Sequence, residues 1–349
     1  MKWIEKVSPQ RNPSFKQTAQ ERQAQLTKPP GSLGRLEQIA IRLADLQQRN
    51  QPAVDNIAIS VFAADHGVVE EGISAFPQEV TVQMISNFLN GGAAISVMAK
   101  QLDAQMEVVD VGVLHALPEQ DGLVIQRAGN GTANSAKQEA MTEDQLDLAM
   151  QAGFDAVERA KNNAADMFIG GEMGIGNTTP ASVLYSALLG LSASQTSGAG
   201  TGLDGAGINR KIEVVERIYN MHQSQCKDNP LAWLRCAGGF EIAALTGAYI
   251  HAAQQGLPVL VDGFISSAAA LCAVRINQSV ADWLFFSHVS AERGHHKALV
   301  EMGQQPLLDL GMRLGEGSGA AVAVPLMRAA CALHNQMATF EEAAVAGKL

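Results

Sequence analysis

The sequence predicts an α/β fold, in which a mostly parallel, doubly wound sheet is covered by helices and a small helical lobe combines both chain ends. Three observations support this prediction. Short apolar runs recur from about residue 57 onward, and each ends in a polar or glycine-rich loop. Most of these loops lead into a helical pattern, as in repeated β-α units. Both ends of the chain show helical periodicity instead, which predicts the lobe.

The N-terminal segment, residues 1–49, is expected to form polar helices interrupted by one turn. Residues 28–34 contain Pro-Pro-Gly, a sequence that requires a turn or loop. Apolar residues then return at helical spacing, at Leu33, Leu36, Ile39, Ala40, Leu43 and Leu46. This segment therefore contributes helices and no strand.

The central part of the chain contains five apolar runs that we interpret as strands. They cover residues 57–63, 106–109, 167–170, 259–261 and 283–286. The loops that follow them carry polar or glycine residues, beginning at Asp65, Asp110, Gly171, Asp262 and Ser287. Covered parallel sheets bind ligands at the carboxyl ends of their strands, so we expect a single ligand site at that edge.

The C-terminal segment, residues 323–347, predicts an apolar helix followed by a shorter one. We expect both to pack against the N-terminal helices. The predicted division is therefore a ligand-binding α/β domain at 50–322 and a helical lobe formed by 1–49 together with 323–349.

Composition narrows the possible functions. A formal net charge of −10 disfavours binding to nucleic acid, although oriented backbone N–H groups can still bind a single phosphate. Four cysteines without a C-x-x-C pair argue against a disulfide framework or a structural zinc site. The N-terminus has no apolar signal region, and no run of 18 apolar residues occurs. We therefore expect a cytoplasmic protein with no membrane span.

The sharpest local motif is Gly-Ile-Gly-Asn-Thr-Thr-Pro at residues 174–180. Thr179 is suited to cap a helix, and Pro180 is suited to its first position. The glycines before them let backbone N–H groups approach an anion, which the positive end of the helix also favours. The alternative is a capped helix after a tight turn, with no ligand.

A second glycine-rich loop spans residues 197–205. Gly200, Gly202 and Gly205 match G-x-G-x-x-G, but small polar residues precede them where a dinucleotide fingerprint requires a strand. We therefore reject that fingerprint. A loop around a phosphate or ribose, with Lys211 supplying a charge, remains open beside a merely flexible surface loop.

Glu316 stands between two glycines ahead of an apolar helix, with Ser318 as the expected N-cap. Its carboxylate could complement the helix dipole or act as an exposed general base. The dipole would lower its pKa and a dry pocket would raise it, so both roles remain open.

Two further groups have weaker patterns. One aspartate and four histidines suggest a metal but fit no zinc spacing, namely Asp65, His66, His288, His295 and His296. We expect these histidines to form hydrogen bonds and predict no metal. Phe76 could stack on a flat ligand with Gln83 facing it from the following helix, or it could belong to the core.

Together these segments resemble one family, the nicotinate-nucleotide–dimethylbenzimidazole phosphoribosyltransferases of cobalamin lower-ligand synthesis. The matching pieces are residues 28–34 (KPPGSLG), 64–68 (ADHGV), 171–179 (GEMGIGNTT), 198–202 (GAGTG), 261–264 (VDGF) and 314–319 (LGEGSG). They run in order along nearly the whole chain. Each is weak alone, and together they are highly specific.

The resemblance implies a homodimer that converts nicotinate mononucleotide and 5,6-dimethylbenzimidazole into α-ribazole 5′-phosphate and nicotinate, without a cofactor. It implies that Glu316 is the general base and that Glu172 and Lys211 lie around the nucleotide. We expect phosphate and ribose to be held by Gly174, Gly176, Asn177, Thr178, Gly200 and Gly202. We expect the base pocket to be shaped by Phe76, Gln83, Met173 and Leu314, and Ser287 to contact substrate.

The residues suit this reaction. The pyridinium nitrogen of the mononucleotide is already positive, so nicotinate can leave without an acid or a metal. The incoming base must lose one proton, and one positioned carboxylate can accept it. A nucleotide hydrolase and a nicotinate mononucleotide-binding sensor on the same fold are the alternatives, with a metal hydrolase behind them.

Overall fold

A computed structural model describes residues 1–200 and 202–346 of the chain. Its centre is a six-stranded sheet in which every pairing is parallel, with strand order β3-β2-β1-β4-β5-β6. The strands are β1 Ile57–Ala64, β2 Gln105–Gly112, β3 Leu123–Ile125, β4 Met167–Met173, β5 Val259–Val261 and β6 Leu284–Phe286. The predicted parallel, doubly wound sheet is confirmed.

All five predicted strands are present, and β3 is an addition. β3 has only three residues, pairs with β2 alone and is partly exposed. Such a short edge strand shows no recognisable period in the sequence. By contrast, β1 is buried along its whole length, as expected for a strand covered on both faces.

Helices cover the sheet in two groups. Their bounds are α1 Pro13–Gln25, α2 Arg35–Gln47, α3 Glu79–Leu89, α4 Ala94–Leu102, α5 Glu143–Asn162, α6 Thr178–Leu189, α7 Ala193–Thr196, α8 Gly205–Cys226, α9 Pro230–Ala237, α10 Phe240–Gln254, α11 Phe264–Ile276, α12 His295–Glu301 and α13 Ser318–Gln336. Short 3₁₀ helices lie at Trp3–Glu5, Gly67–Glu71 and Gln278–Trp283. α10 packs with α5 and α11 against the sheet, whereas α3, α4 and α13 form a second group on it.

The packing is closest where α5 crosses α10. All fifteen residues of α10 are buried. A Cβ atom on Gly153 of α5 would lie 1.8 Å from the carbonyl oxygen of Ala244, so only glycine allows this approach. The first turn of α10 carries the buried Glu241, whose Oε1 lies 2.8 Å from Nε2 of His66, just after β1.

Both chain ends meet in one place. α2 packs against α1 and α13, and the Arg22 guanidinium donates to the carbonyls of His334, Asn335 and Met337 at the end of α13. α13 begins at Ser318, before the boundary predicted at 323. The second short helix predicted after it is wrong for the described residues, because residues 337–346 form turns and a bridge between Thr339 and Leu26. Residues 347–349 lie outside the described part, and the two-domain division stays a prediction.

The strand order has a switch point between β1 and β4. From β1 the chain proceeds to β2 and β3 on one side, and from β4 to β5 and β6 on the other. A crevice for a ligand forms at such a point, outside the carboxyl ends of the strands.

Within residues 1–200 and 202–346, no helix has the length and apolar character needed to cross a membrane. Cys226, Cys236, Cys272 and Cys331 are all free and buried.

Candidate active site

A cavity of about 290 Å³ opens at the carboxyl edge of the sheet. It lies beside the switch point, at the edge where the strand rule places a ligand. Its walls come from the loops after β4, β5 and β6, from the second glycine-rich loop at residues 197–205 and from the segment before α13. The lining residues are Phe76, Glu172, Met173, Gly174, Ile175, Asn177, Thr178, Gly200, Asp262, Gly263, Phe264, Ile265, His288, Ser290, Glu292, Arg313, Leu314 and Gly315.

The first glycine-rich loop presents the start of α6 to the cavity. Asn177 occupies the N-cap position and Thr178 the first helical position, and both line the cavity. The cap predicted at Thr179 is therefore wrong, and the Thr179 hydroxyl is buried with no hydrogen-bond partner in the described structure. The positive end of α6 still faces the cavity, which favours an anion there.

The helix that follows the second glycine-rich loop, α8, adds a cation behind the first loop. Lys211 on α8 is fully buried, and its Nζ donates to the Thr178 hydroxyl at 2.6 Å. Burial lowers the pKa of Lys211 to about 8. The Gly200 N–H, in turn, donates to both carboxylate oxygens of Glu292 at 3.2 Å. Thr178 therefore links the start of α6 to α8, and the Glu292 carboxylate already accepts the Gly200 N–H.

Glu172 lies near the end of β4 with only 5% of its surface exposed. Its Oε2 accepts a hydrogen bond from the Asn177 side-chain amide. Burial, followed by the nearby carboxylates of Glu241 and Asp262, raises the pKa of Glu172 well above its ordinary value. The environment thus favours the protonated form of this side chain.

Glu316 stands in a strained turn. Its φ is +66°, between Gly315 at +89° and Gly317 at +88°, and non-glycine residues rarely adopt such angles. The turn packs directly on β4, because a Cβ atom on Gly171 would lie 2.1 Å from the Glu316 carbonyl oxygen. A conformation of this kind costs about 1–3 kcal/mol and is concentrated at functional sites.

The Glu316 side chain is 5% exposed, and its Oε2 accepts a 3.4 Å bond from the Ile95 N–H at the start of α4. Burial and the charge of Asp262 raise its pKa, against the opposing effect of the Ile95 N–H. A raised pKa makes the carboxylate a stronger base. Glu316 does not itself line the cavity, although its neighbour Gly315 does.

The structure brings together most of the predicted binding residues. Eight of them line the cavity: Phe76, Glu172, Met173, Gly174, Asn177, Thr178, Gly200 and Leu314. The other predicted residues lie outside the described lining. Gln83 is exposed on α3, Gly176 faces the Val69 side chain, Gly202 has open space where a Cβ atom would lie, and Ser287 is fully buried beside His288.

Several lining residues were not among the predicted site residues, namely Asp262, His288, Ser290, Glu292 and Arg313. Asp262 and His288 follow β5 and β6, so the strand-end rule pointed to their loops without selecting the residues. Ser290 and Glu292 lie deeper in the loop after β6, where neither glycine spacing nor helix periodicity gives a signal. The sequence pattern singled out Leu314 but gave no role to Arg313, which directly precedes it.

Three of the four histidines, His66, His288 and His295, form side-chain hydrogen bonds, as expected. His66 Nε2 lies 2.8 Å from Glu241 Oε1 with both side chains buried, and His295 accepts from the Ser290 N–H at 2.8 Å. Burial lowers the pKa of His66, but Glu241 outweighs it and the net pKa is raised. Among the described residues, no group of three or more His, Cys, Asp or Glu side chains is arranged to hold a metal ion.

Comparisons with known proteins agree with this geometry. A family model described as phosphoribosyltransferase matches residues 8–345. The nicotinate-nucleotide–dimethylbenzimidazole phosphoribosyltransferase of Pseudomonas putida KT2440 is 58% identical over 346 residues, which cover 99% of this chain and 98% of that protein. The enzyme of the same name from Pseudomonas fluorescens SBW25 is 57% identical over 94% of this chain and 93% of its own length. The crystal structure of CobT from Thermus thermophilus superposes with a TM-score of 0.92 at 45% identity, covering 96% of this chain and all of that one.

Proposed function

Because the chain belongs to the nicotinate-nucleotide–dimethylbenzimidazole phosphoribosyltransferase family, we propose that it moves the 5-phosphoribosyl group of nicotinate mononucleotide to 5,6-dimethylbenzimidazole. The products are α-ribazole 5′-phosphate and nicotinate. The observation that carries the proposal is the combination of a helix start that faces the cavity with a buried glutamate, one residue beyond the lining residue Gly315, whose pKa is raised.

The reaction exchanges one C–N bond for another. One benzimidazole nitrogen attacks ribose C1′ on the face opposite nicotinate, which converts the β-linkage into an α-linkage. The electron pair of the breaking bond returns to the pyridine nitrogen and cancels its positive charge. The other benzimidazole nitrogen loses its proton, so the step requires one base and neither metal nor cofactor.

The nucleotide phosphate fits the start of α6. Gly174, Asn177 and Thr178 surround that position, and the buried Lys211 ammonium supports it through the Thr178 hydroxyl. A helix N-terminus combined with a cation offers an anion both oriented N–H donors and a compensating charge. The ribose then extends toward Gly200 and the floor of the cavity.

The flat base fits between apolar side chains at the mouth of the cavity. Phe76 and Leu314 are 48% and 59% exposed and both line it, with Met173 below them. Holding the incoming and leaving rings in line at C1′ accelerates the reaction, because the reactants are already oriented for the transfer. Glu316, one residue beyond Gly315, is the carboxylate that we assign as the base. In the structure its carboxylate accepts the N–H of Ile95, and catalytic hydrogen bonds often form only when substrate binds.

Assembly and location are part of the proposal. We propose a homodimer, supported by large apolar side chains that are exposed on the single chain, among them Val97, Val300 and Leu310. A molar mass near twice 36.9 kDa in light scattering would support this assembly, and a mass near the single-chain value would contradict it. We propose the cytoplasm because the four cysteines are free and buried, which suits a reducing compartment.

The test is a product assay. The purified protein is incubated with nicotinate mononucleotide and 5,6-dimethylbenzimidazole without added metal, and the products are separated by chromatography. We expect α-ribazole 5′-phosphate in equal amount with released nicotinate, with the α-linkage identified by NMR. Nicotinate release without the adduct would indicate a hydrolase, and binding without any release would indicate a sensor.

A further inference from the structure

The turn that carries Glu316 lacks the local cap that its sequence suggests. α13 begins at Ser318, immediately after the turn, and Gly317 occupies its N-cap position without a side chain. Ser318 was the expected cap, but its hydroxyl donates back to the Gly315 carbonyl at 2.7 Å. A helix start leaves N–H groups that need a partner, so the cap must come from another part of the fold.

That partner is Asp262, the residue directly after β5. Its Oδ1 accepts the Ala320 N–H at 2.9 Å, and its Oδ2 accepts the Gly317 N–H at 3.2 Å. The side chain is 1% exposed. One rigidly held carboxylate therefore binds the first turn of α13 and the residue next to Glu316.

The surroundings of Asp262 leave it little freedom. His288 Nδ1 lies 3.9 Å from Asp262 Oδ1 and 3.1 Å from the Ser287 hydroxyl. A Cβ atom on Gly319 would lie 2.1 Å from the His288 ring, so the ring packs directly on the first turn of α13. The fully buried Ser287 thus helps to fix the His288 ring through this hydrogen bond.

The strained backbone of Glu316 explains why such support matters. Three consecutive residues have positive φ, and the central one has a side chain. A strained conformation persists only where neighbouring contacts hold it, and here β4 holds one side through Gly171. The bond from Gly317 to Asp262 holds the other side.

We infer that Asp262 is a positioning residue for the reaction: by binding the N–H groups of Gly317 and Ala320, it holds the strained turn that aims Glu316. This inference rests on the proposed role of Glu316 as the base. Asp262 lines the cavity, but each of its carboxylate oxygens already accepts a backbone hydrogen bond. Its loss should therefore affect the rate of the chemical step more than substrate binding.

The test is a double-mutant cycle of Asp262→Asn and Glu316→Gln, with kcat and KM measured for nicotinate mononucleotide. The asparagine places an NH₂ group against one of the two N–H donors. We expect Asp262→Asn to lower kcat about 10- to 100-fold, because small misplacements of a catalytic group have effects of that size. KM should change less than about twofold, since the contacts at the start of α6 are unaltered. In the Glu316→Gln background the second substitution should lower kcat little further.

A matched control is available at Asp110. It is also fully buried near a strand end, and its Oδ1 accepts two backbone N–H groups, from Gly112 and Val113 at 2.9 Å, while its Oδ2 pairs with Arg127 at 2.7 Å. It does not line the cavity in the described structure. Asp110→Asn should lower the melting temperature and leave kcat unchanged.

Gly317→Ala provides a second route if Asp262→Asn does not fold. It strains the same turn without altering a side chain in the cavity, and it should lower kcat and spare KM in the same way. The inference is overturned if Asp262→Asn lowers kcat equally with and without Glu316, or if it acts on KM alone. Wild-type turnover by Glu316→Gln would instead remove the role of Glu316, and the inference with it.

Discussion

The two ends of the sheet treat charged side chains in opposite ways. Toward the amino ends of the strands, Glu107 on β2 is paired with Arg159, whose guanidinium donates to both of its oxygens at 2.7 and 2.9 Å. Asp166, just before β4, binds Arg49 at 2.8 Å and accepts the backbone N–H groups of Asp55 and Asn56. Each carboxylate here is partly exposed and has a cationic partner.

At the carboxyl ends of β4 and β5, beside the cavity, carboxylates are buried close to one another. Glu172, Asp262 and Glu316 are each at most 5% exposed, and in the described part of the chain no salt bridge joins them to a lysine or arginine. Burial raises the pKa of all three, and neighbouring carboxylates raise it further for Glu172 and Glu316. The difference shows that one end of the sheet stabilises the fold, whereas the other holds groups in costly environments, as active sites do.

Among substitutions at the two ends of the sheet, removal of the general base should give the largest change in turnover. Glu316→Gln should fold normally and lose about 10²- to 10⁴-fold in turnover, the usual contribution of a general base. Product chromatography and circular dichroism check both parts. In the wild type, the pH at which activity falls on the acid side should lie above the ordinary glutamate pKa, because the base must be ionised and its pKa is raised. An acid limb at or below that ordinary value would contradict the assignment.

Removing the buried cation should weaken nucleotide binding. Lys211→Met deletes the ammonium that supports Thr178, and KM for nicotinate mononucleotide should rise by about 10- to 100-fold, the equivalent of one charged hydrogen bond. Steady-state kinetics measure the change. The matched control is Lys137→Met, since Lys137 is an exposed lysine paired with Glu70. Equal behaviour of the two variants would show that Lys211 has no special role.

Neutralising Glu172 should stabilise the protein. Its pKa is higher in the folded chain than in the unfolded chain, so its favourable contribution is complete below the unfolded pKa and is lost as pH rises toward the folded value. Glu172→Gln lacks that loss. Its free energy of unfolding should exceed that of the wild type by on the order of 1 kcal/mol at neutral pH, with the gap growing as pH rises. Urea titrations at several pH values test this, and a variant that is less stable by the same amount at every pH would refute it.

Breaking the pair at the other end should give the smallest effect. Arg159→Met removes a partly exposed ion pair with Glu107, and stability should fall by about 1 kcal/mol or less. Turnover should not change. Thermal unfolding and the product assay cover both statements, and a large loss of activity would mean that the two ends of the sheet are not separate in function.

Sequence patterns predict the sheet well because buried parallel strands are continuous apolar runs, as in β1. Sequence patterns also locate the glycine-rich loops, because Gly174 and Gly200 stand where the backbone borders the cavity. The cap expected at Thr179 is wrong because α6 already begins at Thr178. The cap expected at Ser318 is wrong because the start of α13 is completed by the tertiary fold. Asp262 caps α13 from 55 and 58 positions away along the chain, and no local spacing can reveal such a contact.

Tertiary contacts also decide which residues of each loop line the cavity, so the sequence predicts only part of the lining. Ser287 and His288 are adjacent in the loop after β6, yet only His288 lines the cavity while Ser287 supports it from behind. The sequence identifies the loop and cannot decide which neighbour faces inward. Glu292 reaches Gly200 only because two loops distant in sequence meet in the fold.

A crystal structure of the protein with α-ribazole 5′-phosphate tests the central claim most directly. We expect the phosphate at the start of α6 beside Thr178 and Gly200, with the benzimidazole near Phe76 and Leu314. We also expect the unsubstituted ring nitrogen to lie within hydrogen-bonding distance of the Glu316 carboxylate. A product bound with that nitrogen directed at Glu172 instead, and with Glu316 still held by Ile95, would contradict the assignment of the base.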